Sequence, residues 1–256
     1  MRHFFVTILS CCCLLMNCTS DPPPQGAVAL QLSDIAFTAD GRFLDDAAGP
    51  ELLIGVDAYS VDYTAEELLQ LVERLQVNGG NYLRLNPVYL DSSKVITGLA
   101  KAVTRGLIVD TLKADAMAVT VQSVASFNRE LLDGNGRVAY PSFSQRALNG
   151  LRAVRTVEQK VSFSALRRSN DILGPDNPTG ATAAADTSGN FLIYVPTAGR
   201  VTFSLPDGRQ QPVRRVTVVG HLGTQRSEIL RPPYDRRFTL TSNEAKGGWM
   251  VIERLE

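Results

Sequence analysis

The feature that most constrains this chain is a continuous apolar run that stops on an acid. Leu52 to Val56 contains no polar side chain, and Asp57 follows it. A strand of that composition is buried on both faces, as strands of parallel sheets are. Thr64-Ala65-Glu66-Glu67 then offers a helix N-cap and an acidic first turn. Leu68, Leu71, Val72 and Leu75 recur at helical spacing, and Asn78-Gly79-Gly80 ends the helix. Asn81 to Leu85 reads as a second short strand, stopped by Pro87. Strand, helix and strand within about thirty-five residues make one βαβ unit.

The flanks are less regular. Residues 35–60 read as short extended pieces with a turn at Asp40-Gly41. Val95 to Val109 has the pattern of a helix capped by Ser92 or Ser93, and Val119 to Leu132 also shows helical spacing. Asp133-Gly134-Asn135-Gly136 is a turn or loop. Residues 144–161 form an amphipathic helix, with Leu148, Leu151, Val154, Val157 and Val161 on one side.

After Pro175 the period changes from helical to alternating. Phe191–Val195, Arg200–Leu205, Val213–Val219, Ser227–Leu230, Arg237–Thr241 and Trp249–Glu253 are short strand-like segments. Turns such as Ser188-Gly189-Asn190, Pro206-Asp207-Gly208 and Gly247-Gly248 separate them. Short strands at this spacing indicate an antiparallel β-sandwich. His221, between Gly220 and Gly223, falls in a hairpin turn, and Trp249 reads as sandwich core.

Composition narrows the chemistry. Lys+Arg and Asp+Glu both number 26, so no global charge favours nucleic acid. The charge is unevenly spread: residues 18–145 carry net −7 and residues 146–256 net +6, as two attracting modules or as chance bias would. All four cysteines (Cys11, Cys12, Cys13 and Cys18) precede residue 19, and the only histidines are His3 and His221. The body therefore has no disulfide and no Cys/His zinc site, and a Ser-His-Asp or Cys-His hydrolase would rest on His221 alone. The sequence calls for no metal and no cofactor. Carboxylate, hydroxyl, amide and arginine chemistry remain.

The N-terminus is an address. Arg2 and His3 precede an apolar stretch of thirteen residues, Phe4 to Met16, which suits a secretory signal and is too short to span a bilayer. Cleavage before a cysteine would make a bacterial lipoprotein. Cys18 is the lipidation candidate, with Leu15 at −3 and a bulky Asn17 at −1; Cys11 follows Ser10 but leaves a short apolar stretch. A plain secretory signal is the alternative. Residues 1–17 are thus expected to be a signal peptide and residues 18–34, with Pro22 to Pro24, an extended tether. The implied location is the bacterial cell envelope, lipid-anchored, periplasmic or extracellular.

Two stretches resemble a known family. Gly41-Arg42-Phe43-Leu44, Leu52 to Tyr59, Thr64-Ala65-Glu66-Glu67 and Gly79-Gly80-Asn81-Tyr82-Leu83-Arg84-Leu85 resemble the opening of cellulase-like (β/α)8 glycoside hydrolases. Leu151 to Phe163 and Asn170-Asp171-Ile172-Leu173 resemble their last barrel helix and exit segment. Phe191 to Gly199, Val201 to Leu205, Gly223-Thr224 and Gly248-Trp249-Met250-Val251 resemble their appended β-sandwich, a module commonly named a collagen-binding domain. The resemblance implies a partial (β/α) barrel-like region over 35–173 and a β-sandwich over 174–256, an α+β chain.

The middle is too short for the whole barrel, which needs roughly 250 residues. Ser144 stands only 92 positions after Leu52. That is room for about three βα units, so most of barrel strands three to eight are expected to be absent, leaving an exposed edge at the second strand. Glycoside hydrolysis needs two carboxylates about 5–10 Å apart, which the resemblance puts on glutamates at the ends of strands four and seven, often after Asn. The one Asn-Glu pair, Asn243-Glu244, sits in a sandwich turn, and Glu130 and Glu158 lie on helices. No motif marks an acid/base or a nucleophile.

Asp57 and Arg84 fall at the C-terminal ends of two neighbouring parallel strands, the face where a complete barrel binds substrate. Asp57 would orient a sugar hydroxyl and Arg84 a carboxylate, or the two form a structural ion pair. Tyr59, Tyr82 and Tyr89 are candidates to stack on sugar rings or to pack. These features lead to an exported lipoprotein that binds carbohydrate or a surface without catalysis. The alternatives are a minimal or oligomer-completed glycosidase acting on polysaccharide, and an internally deleted gene remnant.

Overall fold

Alternating turn signals and apolar runs resolve into a parallel sheet followed by an antiparallel one. The structure, a computed structural model, describes residues 35–111, 116–206, 211–234, 237–242 and 245–255. The segments expected to be a signal peptide and a tether, with Cys18, and Asp207-Gly208 and Asn243-Glu244 lie outside the described residues. No helix among the described residues is long and apolar enough to cross a membrane.

The elements run β1 (Leu44–Asp46), β2 (Gly49–Glu51), β3 (Leu53–Asp57), α1 (Ala65–Val77), β4 (Tyr82–Arg84), α2 (Ser93–Val103), β5 (Ile108–Asp110), β6 (Val119–Thr120), α3 (Val124–Leu132), β7 (Arg137–Tyr140) and α4 (Gln145–Glu158). The antiparallel part follows with β8 (Arg167–Arg168), β9 (Thr182–Ala185), β10 (Phe191–Val195), β11 (Gly199–Ser204), β12 (Val213–Gly220), β13 (Gln225–Leu230), β14 (Arg237–Ser242) and β15 (Gly248–Leu255).

Helix α1 begins as its sequence dictates. The Thr64 hydroxyl oxygen accepts the Glu67 N–H at 3.3 Å, and the Glu67 carboxylate accepts the Thr64 N–H at 2.8 Å. This reciprocal pair is a capping box. Leu68, Val72 and Leu75 are its buried side. Asn78 and Gly79, with φ +83° at Gly79, end it. Asn81 then ties β3 to the turn before β4. Its Oδ1 accepts the Ile54 N–H at 2.9 Å, and its Nδ2 donates to the Leu52 carbonyl at 2.9 Å.

The parallel sheet has five strands in the order β5-β4-β3-β7-β6. In a closed barrel the last strand pairs with the first. Here β7 pairs with β3, and β6 pairs with β7. The five strands therefore stand where strands one to three and seven to eight of a barrel would. Residues 111–118 connect the two groups in the sequence. Arg155 of α4 supports the seam, donating to the Gly79 carbonyl at 2.7 Å and the Leu52 carbonyl at 3.2 Å.

Two details differ from the sequence reading. The helix expected over Val95–Val109 ends at Val103, and Ile108–Asp110 is a strand; Gly106, with φ +89°, separates them. Similarly Val119–Thr120 is a strand before α3, whose N-cap is Ser123. In consequence β4, the second strand of the βαβ unit, is not an edge. It is flanked by β3 and β5, and the parallel sheet is bounded by β5 and β6.

The outward face of this sheet, including Ile54, Val56, Leu83, Val109, Val138 and Tyr140, shares one core with α1 to α4. The inward face begins with Leu53, Tyr82 and Ala139, covered by Leu44 and Ala118 and by the partly buried Ile35, Phe37 and Met117. The chain thus closes its half barrel with its own first hairpin.

The antiparallel sheet has six strands in the order β13-β12-β15-β10-β9-β8. Its first strand, β8, comes from ahead of residue 174. One face packs Phe191, Ile193, Met250 and Ile252 against Val201 and Phe203 of the β11–β14 pair, which makes the sandwich. The other face, with Leu192, Tyr194, Trp249 and Val251, joins the core of the helices. Trp249 is 2% exposed, but it lies at this helix–sheet boundary, edge-on to Phe163, rather than between the two sheets.

Candidate functional site

Side chains alternate along strands, so Leu53, Gly55 and Asp57 share the inward face. The register sets Asp57 beside Arg84, and Arg84 beside Asp110. Asp57, Arg84, Asp110 and Thr120 thus meet at the C-terminal end of the half barrel.

Asp57 is the hub. Its Oδ2 accepts from Arg84 Nη1 at 3.2 Å and from the Thr120 hydroxyl at 2.7 Å. Its Oδ1 accepts the Tyr59 N–H at 3.2 Å. The Arg84 guanidinium lies 4.9 Å above the Tyr59 ring, which screens it from solvent on that side. Both partners of the ion pair are mostly covered, at 11% and 14% exposure of their side chains. Tyr59, Asp57 and Arg84 reach the surface in part.

Asp110 has no exposure. Its Oδ2 accepts the Tyr82 hydroxyl at 2.8 Å and the Met117 N–H at 3.0 Å. Burial, followed by the Asp110 carboxylate it donates to, pushes the Tyr82 hydroxyl far above the ordinary phenol range. Tyr82 therefore remains a neutral donor. Being fully buried, it is not a surface for a sugar ring, which corrects one of the stacking candidates. Tyr89 is occupied structurally: its oxygen accepts the Tyr63 N–H at 2.6 Å, and its hydroxyl donates to the Val61 carbonyl.

The arrangement can present hydrogen-bond acceptors, one guanidinium and one aromatic ring. As a hydrolytic pair it is poorly placed. Asp57 and Asp110 flank β4, two strand spacings or about 10 Å apart. That exceeds the nucleophile–acid separation of retaining enzymes and lies at the wide limit of inverting ones. An acid without exposure also touches no substrate. Neither described cavity compensates. One, of about 270 Å³, lies at the opposite end of the parallel strands beside Leu52 and Lys160. Its only acid, Glu158, is bonded to Arg155 at 2.6 Å. The other, about 10 Å³ among Asn128, Tyr194 and Trp249, has no acidic lining. Glu130 accepts from Asn135 at 3.4 Å near the end of α3.

Sequence reasoning brought Asp57, Tyr59 and Arg84 together but missed Asp110 and Thr120. Ile108-Val109-Asp110 repeats the pattern of an apolar run ending on Asp, the signal that marked Asp57. A helical reading of the same residues hid it. Thr120 carries no such signal, because a two-residue strand has no periodicity.

No protein-family model matches the sequence. No curated protein matches it either. Solved structures do. The chain is similar to a structure described as a glycoside hydrolase, with TM-score 0.57 and 7% identity over 85% of this chain and 96% of that one. It is similar also to a glycoside hydrolase family 5 protein from Bacteroides vulgatus ATCC 8482, with TM-score 0.59 and 6% identity over 85% of this chain and 93% of that one. At such identity the likeness concerns the fold: this chain has a glycoside-hydrolase-like fold with a five-stranded parallel sheet and an antiparallel sheet after it.

Proposed function

We propose that this protein is an exported, lipid-anchored carbohydrate-binding protein that has kept the glycoside-hydrolase architecture without its hydrolytic chemistry. The observation that carries the reading is the state of the carboxylates at the substrate end of the half barrel. Asp57 is held by Arg84, Thr120 and the Tyr59 N–H, and Asp110 is sealed beneath the surface. What reaches solvent there is a tyrosine ring backed by a guanidinium and the rim of a carboxylate. Such a surface suits sugar hydroxyls and a ring face. The leader and Cys18 supply the export and anchoring part of the proposal.

A glycan array followed by titration calorimetry tests the reading. Binding is expected to be lost in Tyr59→Ala and weakened in Arg84→Lys, with no release of reducing sugar from any bound polysaccharide. Hydrolysis that disappears in Asp57→Asn or a single Glu→Gln variant would establish the glycosidase reading instead. Loss of lipid labelling in Cys18→Ser checks the anchor.

A further inference from the structure

Among the described residues, the outer strand of the six-stranded sheet, β13, has β12 as its one paired strand. Its residues from Gln225 to Ile229 are all exposed. An open edge of this kind is a template for another strand, and the β12–β13 register shows what it presents. The Gly220 N–H donates to the Thr224 carbonyl at 2.8 Å, so that pair is hydrogen-bonded. Counting along the ladder, Val218↔Arg226, Val216↔Glu228 and Arg214↔Leu230 are hydrogen-bonded too. The backbone N–H and C=O groups of Gln225, Ser227 and Ile229 therefore point away from the sheet. Arg226 and Glu228 stand together on one face, two residues apart.

We propose that this edge is a self-association surface. Its occupant is a second copy of the chain, docked antiparallel along β13 with the two-fold axis through Ser227. In that register Ser227 meets its own counterpart, and Gln225 meets Ile229 of the second copy. All three outward-pointing residues then exchange both backbone hydrogen bonds. Arg226 meets Glu228 of the second copy, and symmetry repeats the pair. These ion pairs fall at the non-hydrogen-bonded positions, where facing side chains approach most closely.

Charge complementarity selects the register. An axis through Gln225 or through Ile229 also satisfies the backbone but leaves Arg226 and Glu228 without each other. An axis through Glu228 sets like charges face to face. The present partner of Arg226 is the Thr241 carbonyl at 3.4 Å, a long bond that yields readily to a carboxylate. Ile229, 45% exposed, loses solvent in the same contact. One strand pair covers less than the roughly 1,200 Å² of a stable interface, so the dimer is weak and concentration-dependent.

Sedimentation equilibrium of the purified protein tests this. The mass is expected to climb from the monomer value, 27.8 kDa for the uncleaved chain, toward twice that of the monomer as concentration rises. Arg226→Glu and Glu228→Arg each place like charges twice across the axis, weakening association about tenfold. The double exchange restores it. Ser227→Pro removes an N–H that β12 does not use and abolishes association, while Ser227→Ala leaves it unchanged. Circular dichroism confirms that each variant folds. A mass that remains monomeric at every concentration overturns the proposal. So does a dimer unmoved by either single charge change, since its interface would lie elsewhere.

Discussion

Gly55→Ala is the sharpest test of how the half barrel is held together. A Cβ at Gly55 would sit 1.8 Å from the Tyr82 carbonyl oxygen and 2.6 Å from its carbonyl carbon. Ordinary contact begins near 3.4 Å, so β3 and β4 must separate by more than an ångström. Both obstacles are backbone, so no rotamer relieves them. The affected pairing is Gly55↔Tyr82, Val56↔Leu83 and Asp57↔Arg84, so the ion pair of the site opens with it. Overpacking and loss of a largely covered ion pair together cost about 4 kcal/mol. In a chain of this size that lowers Tm by about 8–16 °C. Trp249, the only tryptophan and 2% exposed, reports unfolding by its emission shift. Gly98→Ala in α2 is the control. The atoms nearest its new methyl, the first at 2.2 Å, all belong to the Leu69 side chain, which can rotate aside where the Tyr82 backbone cannot, and alanine favours the helix, so it should lie within about 1 kcal/mol of wild type. A Gly55→Ala protein melting within about 2 °C of wild type would refute the reasoning.

Tyr82→Phe leaves Asp110 buried with one donor fewer, which should cost about 1–3 kcal/mol in urea unfolding; Tyr59→Phe should cost less, because the residue is partly exposed and keeps its backbone N–H bond and its ring-face contact. Alkaline pH should destabilise the fold. Burial, above all, raises the hydroxyls of Tyr63, Tyr82, Tyr140 and Tyr194 above the ordinary phenol value of about 10. Above about pH 10 the folded state then binds more protons than the unfolded one, so stability is complete below that pH and falls as pH rises through it. A urea midpoint that stays flat from about pH 9 to about pH 12 would contradict this.

Much of the candidate site was legible from sequence because its first half is local. The apolar run to Asp57, the Thr64 cap and the strand before Pro87 together fix a βαβ unit, and a βαβ unit sets Asp57 and Arg84 side by side. Asp110 and Thr120 were hidden for different reasons. Ile108–Asp110 follows a helix so closely that apolar spacing runs across the boundary, with only Gly106 as punctuation. Val119–Thr120 is a strand solely because β7 lies beside it.

The sequence by itself determined the elements: α1 and α4 from their caps and apolar stripes, and the later strands from alternation between turns. It determined also that a whole barrel does not fit between Leu52 and Ser144. Only tertiary structure decided how the remaining strands close ranks, with β7 beside β3 and β5 bounding the sheet. It alone placed Trp249 against the helices and left β13 as an open edge. The physical reason is range. Caps, turns and periodicity act within a few residues, whereas strand order is chosen by which buried faces and backbone groups find partners across the whole chain.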